Sequence, residues 1–374
     1  MTGLWDSAGT PVSVWTTDGQ RAWGETPPPA PTWRNIAIGP YIGTQIVSSK
    51  PGPRSYTLPA TLTSDASELR LTYTAIKGNG PITPVASPVT YAATIDGEPV
   101  LFGGATSGVC SPGGTITSDP LAGAWRAGQV IEIATTGTGE DVPDSGFGLR
   151  PYLVSAVSDQ PSVLIIGSSS ATPVEMLDGF RGAEVAVVNG GVGGTRQTTF
   201  TDVVLRDYLS LAGAGFTHAL LQIGANTMGQ GASTLMQTSV DLAWRLRELG
   251  IPHVTQKVWK PYTTSTDGWT TVEGQEPRFD SRAIAVDWLR RGAPVTADGR
   301  TVDLTGATAA PLYVGQPGHP FSDIADLGAL LQDSTDPDAW RVDHGPLTVD
   351  GLHMGGTGYD LMAPGVAAWA SSLT

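Results

Sequence analysis

The chain has 374 residues, long enough for two domains, and 40% of them are hydrophobic, ample for burying cores. A formal net charge of -14 argues against a phosphate-tracking nucleic-acid binder, which needs Lys and Arg, and against adhesion to anionic membranes. Charged residues make up only 15%, against 48 glycines and 29 prolines, a composition of turns and β-structure rather than long charged helices. The substrate is therefore expected to be neutral, or held by hydrogen bonds and stacking.

Cys110 is the single cysteine, so no intramolecular disulfide can form, and a small buried thiol is expected there. No apolar run approaches the roughly 20 residues of a membrane span. The opening "MTGLWDSAGTPVSVW" lacks the basic start and continuous apolar stretch of a secretory leader. Either export does not use that route or a leader precedes this sequence.

In chain order, residues 1–35 read as a Trp- and Pro-rich arm holding Trp5, Trp15, Trp23 and Trp33, with "ETPPPAPTW" as a linker-like piece. Packing within the chain is the simpler expectation for these indoles; docking to a partner or a second copy is the alternative. Residues 36–160 alternate apolar and polar side chains. "ELRLTYTAI" (68–76) sets Leu69, Leu71, Tyr73 and Ala75 on one face, as a half-buried strand does. Asp96-Gly97 in "YAATIDGEPVLF" signals a hairpin, and "AGQVIEIATT" is a further strand. Short strands punctuated by Gly and Pro predict a β-sandwich of jelly-roll type.

The rhythm changes after Pro161. Short apolar runs at 163–166, 185–188, 219–223 and 253–259 are separated by helix-like segments, the pattern of a parallel sheet with helices on both faces. "STLMQTSVDLAWRLRELG" predicts a helix with Leu235, Leu242, Leu246 and Leu249 on one face, Ser233 as N-cap and Gly250 at its end. Residues 161–374 thus form the α/β portion. Sites in such sheets lie at the carboxyl ends of strands, where "SVLIIGSSSAT" places Ser168, Ser169 and Ser170.

An acyl-transfer site needs a hydroxyl nucleophile, an imidazole base, an acid to orient it and donors for the oxyanion. The serine cluster offers the first. Of five histidines, His218 opens an apolar strand, His253 begins another at the amino edge, and His319 sits in a loop suited to a turn or surface role. His344 and His353 remain. Asp350 precedes His353 by three residues, so one short loop can present acid and base together; Asp343–His344 is the weaker rival. The glycine-rich turn in "VVNGGVGGT" offers backbone N–H groups, and Asn226 at the end of "LLQIGANTM" offers a side-chain amide. The histidines show no HxxxH-type pair, so no metal and no cofactor are called for.

Together and in this order these blocks resemble the SGNH (GDSL-like) hydrolases. The matching pieces are Gly167-Ser168-Ser169, Asn189 to Gly194, Gly224-Ala225-Asn226-Thr227 and Asp350-Gly351-Leu352-His353. "DGLHMGGTGYDLMA" is the most specific of them, and "TTSTDGW" and "TSDPLAGAWRAGQVIEI" are similar to segments of bacterial two-domain members. The resemblance covers residues 161–374. It implies a flavodoxin-like three-layer fold behind a β-rich module, with Ser169 as nucleophile, His353 as base and Asp350 as its orienting acid. It also implies an oxyanion hole from the backbone N–H groups of Ser169 and Gly194 with the Asn226 amide. Ser168 and Thr227 stand where the family carries aspartates.

The implied activity is ester hydrolysis through an acyl-enzyme. The acidic surface, the tryptophans and the β-module favour an acetyl or other short-acyl ester on a carbohydrate, with Trp269 as a candidate stacking wall or, equally, a core or lid residue; action outside the cell or on a virion is expected, with a cytoplasmic place as the alternative. A non-catalytic glycan-binding or virion-type structural protein is the rival reading. An α/β-hydrolase is disfavoured because Gly167-Ser168-Ser169-Ser170-Ala171 lacks the final glycine of G-x-S-x-G. Dinucleotide binding is disfavoured because the third glycine of G-x-G-x-x-G, counted from Gly191, falls on Arg196.

Overall fold

The computed structural model describes residues 14–15, 21–22, 32–41, 49–78, 82–143, 149–171, 174–200 and 215–373. Among the described residues, the strands of the two larger sheets of the first part are β1 (Thr32–Asn35), β2 (Ala37–Tyr41), β3 (Arg54–Leu62), β4 (Ala66–Thr74), β5 (Val89–Ile95), β6 (Glu98–Val100), β7 (Gly108–Cys110), β8 (Thr115–Thr117), β9 (Leu121–Trp125), β10 (Val130–Thr138) and β11 (Leu153–Ser158), beside short two-stranded pairings. One antiparallel sheet runs β6-β5-β10-β3-β2, with β7 also on β5; the other runs β8-β4-β11-β1, with β9 also on β4. Alternation drives the pairing. Val89, Tyr91, Ala93 and Ile95 point inward from β5 and meet Leu69, Leu71 and Tyr73 from β4. The Tyr73 and Tyr91 rings stack at 4.8 Å, and Tyr73 shares a 2.8 Å hydrogen bond with Thr135. Asp96 (φ 50°) and Gly97 (φ 86°) make the β5–β6 turn with positive φ at both central positions, the geometry that matches strand twist. Cys110 is buried in this core, and burial pushes its thiol up to about 11.

The arm expected over residues 1–35 contributes its last four residues to the sandwich as β1, where the Arg70 guanidinium lies 3.8 Å over the Trp33 ring. Trp5, Trp23 and residues 25–31 lie outside the described residues, and of Trp15 only the backbone is described, in a strand paired with Arg21–Ala22.

The second part alternates β12 (Ser162–Gly167), α1 (Asp178–Ala183), β13 (Ala186–Gly191), β14 (His218–Gln222), α2 (Ala232–Glu248), β15 (His253–Lys257), α3 (Ser281–Arg290), β16 (Asp323–Ala325) and α4 (Gly356–Ser371). The strands are parallel in the order β13-β12-β14-β15-β16, which is 2-1-3-4-5, the order of flavodoxin-like doubly wound sheets. Period two on the central strand separates the layers. Val163 and Ile165 face Phe180, Met362 and Val366 of α1 and α4, while Leu164 and Ile166 face Leu235, Met236 and Val240 of α2. α2 starts two residues earlier than the Ser233 cap predicts, with Gly231 at the N-cap, and ends before Gly250 at φ 98°. The short strand β16 was not expected from the sequence, because "FSDIADLG" holds too few apolar residues to stand out.

The two parts share one sheet. β2 pairs antiparallel with β3 of the sandwich and parallel with β13, Val187 opposite Ile38, so eleven strands run on without a break. The change at Pro161 is thus a change of sheet chemistry within a continuous hydrogen-bonded surface. Among the described residues no helix is long and apolar enough to cross a membrane.

Ile165 is fully buried on the central strand. Ile165→Ala is expected to cost about 2–5 kcal/mol, from lost transfer energy and the cavity left behind, read as a lower urea midpoint.

Candidate active site

β12 ends at Gly167, and the chain folds back at once into a single 3-10 turn, Ser169–Ala171. The reversal is so tight that a Cβ on residue 167 would lie 2.2 Å from the Ala171 Cβ. Four contacts fix the turn. Ala171 N donates to the Ser168 carbonyl at 2.9 Å; Gln222 Nε2 and Tyr359 Oη donate to the Ser170 carbonyl at 2.9 and 3.0 Å; Asn189 Nδ2 donates to the Ala171 carbonyl at 2.5 Å. Ser168 and Ser170 are buried, at 1% and 5% exposure, and only Ser169 of the three is part-exposed.

The Ser169 Oγ lies 2.8 Å from His353 Nε2, and His353 Nδ1 lies 2.7 Å from Asp350 Oδ2. The same carboxylate accepts the Leu352 and His353 backbone N–H groups through Oδ1, at 2.8 and 2.7 Å. Burial pushes the Asp350 carboxyl up, but the backbone N–H of His353, its ring N–H and the Leu352 N–H outweigh it and hold the group down to about 2. An ionised carboxylate only accepts hydrogen bonds, so in the neutral ring Nδ1 carries the proton and Nε2 presents its lone pair to the Ser169 hydroxyl. Gly351 makes the tight loop possible. It sits at φ 77°, and a Cβ there would lie 1.8 Å from the Thr263 carbonyl oxygen.

Beside the serine, the glycine-rich turn closes on the end of β12. Val192 N donates to the Gly167 carbonyl at 3.0 Å, as does Thr195 Oγ1 at 3.2 Å, and Gly194 takes a φ of 74° at the turn's tip. Asn226 Nδ2 donates to the Thr195 carbonyl at 2.9 Å, joining the third block to the second. Thr227 donates to Gln197 Oε1 at 2.6 Å, Gln197 Nε2 donates to Ser239 Oγ at 3.1 Å, and Ser239 donates to the Leu235 carbonyl at 3.0 Å. A neutral buried relay therefore occupies the place expected of a carboxylate, and Gln197 is a residue sequence reasoning passed over. Its only signal was its position two residues beyond the glycine-rich turn.

Trp269 packs against Gly351, its indole N–H donating to Thr263 Oγ1 at 3.0 Å and its backbone held at φ 61°. It remains part-exposed beside the Asp350–His353 loop. Most other described tryptophans serve the interior: Trp125, Trp259, Trp288, Trp340 and Trp369 are all buried.

The remaining histidines sit elsewhere. His218 and His253 stack at 4.7 Å at the amino ends of β14 and β15, and burial followed by the His253 charge pushes His218 down to about 4. His319 is not the surface residue its loop suggested. It is fully buried, with Nε2 2.9 Å from the Ala293 carbonyl and Nδ1 3.1 Å from the Phe321 carbonyl. His344 is exposed beside Asp343, whose carboxylate is taken by Arg341. Among the described residues no group of three His, Cys, Asp or Glu is placed to hold a metal ion.

No protein-family model matches the chain, and no curated protein matches it. Among solved structures it is similar to a member of the lipolytic protein G-D-S-L family from Veillonella parvula, at 14% identity over 55% of this chain and 94% of that one, TM-score 0.35. It is also similar to protein YXIM from Bacillus subtilis, at 12% identity over 91% of this chain and 88% of that one, TM-score 0.33. AlinE4, an SGNH-hydrolase family esterase, aligns at 14% identity over 28% of this chain and 62% of that one, TM-score 0.24. These likenesses are too distant to define an activity, which rests on the site's own chemistry.

Two outcomes are expected. Gly351→Ala forces a side chain into left-handed backbone against Thr263, and displacing His353 by about 1 Å should cut Ser169 reactivity about 100-fold, measured as the rate of phosphonate labelling. The Asp350 carboxyl is lower in the fold than its unfolded value of about 3.9, so it stabilises above about pH 4 and that contribution is lost as pH falls through about 2. Asp350→Asn should therefore flatten the acid limb of urea midpoint against pH in that window.

Proposed function

We propose that this chain is a serine esterase of the SGNH type. The observation that carries the reading is the hydrogen-bonded line from Ser169 Oγ through His353 to Asp350 at the carboxyl edge of a 2-1-3-4-5 parallel sheet. In the reaction the Ser169 oxygen attacks the ester carbonyl while His353 Nε2 takes its proton and then returns it to the leaving alcohol. Water repeats the sequence to release the acid. Asp350 keeps the imidazole in the required tautomer and stabilises the imidazolium. The backbone N–H groups of Ser169 and Gly194 and the Asn226 amide are the oxyanion donors, each worth about 2.7–4 kcal/mol of transition-state stabilisation. Asn226 carries two N–H bonds and spends one on Thr195, leaving the other for substrate.

The substrate class we assign is an acetyl or similar short-acyl ester on a carbohydrate, with residues 36–160 as an accessory jelly-roll-type module and 161–374 as the catalytic domain. An acidic chain has little to offer an anionic lipid surface, and Trp269 stands part-exposed next to Gly351 where a sugar ring can stack.

p-Nitrophenyl acetate should be cleaved, and Ser169→Ala should abolish turnover. A serine-directed phosphonate should label Ser169; labelling at Ser168 or Ser170 instead would contradict the assignment. Free acetate should appear from acetylated polysaccharides. No turnover of any acyl ester would point instead to a glycan-binding protein with a silent hydrolase fold.

A further inference from the structure

The Asp350–His353 loop exposes four consecutive carbonyl groups whose partners can be traced. The His353 carbonyl accepts from Thr348 Oγ1 at 2.7 Å and Val349 N at 3.1 Å, within the loop itself. The other three are held from outside, by one segment that follows β15. Arg278 donates to the Asp350 carbonyl at 3.4 Å, Thr263 N donates to the Gly351 carbonyl at 3.2 Å, and Lys260 Nζ donates to the Leu352 carbonyl. Leu352 lies between the acid and the base, so its carbonyl fixes the peptide that delivers His353.

Lys260 is an unusual choice for this task. It is 2% exposed, with Nζ 4.1 Å from the centre of the Tyr262 ring and 4.9 Å from that of Trp340. Its own carbonyl, and that of Trp259, are held by the buried Arg282 at 2.7 and 3.0 Å, which in turn pairs with Asp338 at 2.5 Å. Burying a lysine is costly, and a neutral methionine would fill the same apolar space without that penalty. Burial and the neighbouring Lys257 push the group well below the usual lysine range, yet an N–H donor remains in either protonation state.

We propose that Lys260 is a positioning residue, whose ε-amino group grips the Leu352 carbonyl and so keeps His353 in line between Asp350 and Ser169. The role rests on the esterase reading, since it concerns that reading's base. It touches neither nucleophile nor substrate and acts only through the loop.

Lys260→Met keeps the apolar stem and removes the donor. It should lower kcat on p-nitrophenyl acetate at least tenfold with KM within twofold, because the acyl and alcohol contacts are untouched. The far-downfield Nδ1 proton of His353, bonded to Asp350 in the parent, should broaden or vanish in the proton NMR spectrum. Lys260→Gln retains a shorter donor and should recover part of both signals. A methionine variant with kcat within twofold of the parent and an intact His353 proton would overturn the proposal. So would failure of both variants to fold, which would assign Lys260 to the fold instead. If the parent cleaves no ester, the esterase reading fails, and the His353 proton still decides whether Lys260 holds the ring.

Discussion

Everything at the site depends on a backbone constraint: a loop short enough to bring Asp350 and His353 onto one imidazole must find partners for its own peptide groups. Two residues separate Asp350 from His353, too few to form a regular element whose ladder would satisfy them. The carboxylate accepts two of the loop's N–H groups, Thr348 caps its end, and the segment 260–278 supplies donors for three carbonyls. Gly351 is the residue that lets the loop and that segment approach. The precision of the 2.8 Å contact between Ser169 and His353, 184 residues apart in sequence, is inherited from these bonds.

The Ser169 side is built by the same means but with different parts. Gln222, Tyr359 and Asn189 are side chains from two strands and a helix, and all three donate to carbonyls of the serine turn. The Gln222 Nε2, Tyr359 Oη and Asn189 Nδ2 donors are each paired with a carbonyl of the turn, while Gln222 Oε1 is buried without a hydrogen-bond partner among the described residues. Thr227, Gln197 and Ser239 extend the logic to the turn that carries Asn226. A hydroxyl and an amide are enough to brace that turn, so the missing carboxylates at 168 and 227 remove no atom of the proposed chemistry.

β2 gives the molecule its continuity. A strand that pairs antiparallel on one side and parallel on the other joins the sandwich to the α/β sheet through backbone hydrogen bonds. β13, which leads into the glycine-rich turn, therefore has ordered neighbours on both edges, β2 and β12. The first part thus lends its backbone to the strand that leads into the glycine-rich turn.

Period and punctuation let the sequence by itself determine much of this. Alternation wrote the strands at 66–74, 89–95 and 130–138, Asp96-Gly97 wrote a hairpin, and four apolar runs wrote the core of the parallel sheet. The spacing of Asp350 and His353 is equally local, since three residues suffice to put both on one loop. Which serine faces that loop was not local: Ser168, Ser169 and Ser170 have the same chemistry, and only the direction of the turn at Gly167 buries two and presents one. The bridging role of β2, the interior place of His319 and the tie between Lys260 and Leu352 were likewise decided in three dimensions. Each depends on partners that lie tens of residues away in the chain, and such pairings leave no periodic trace along it.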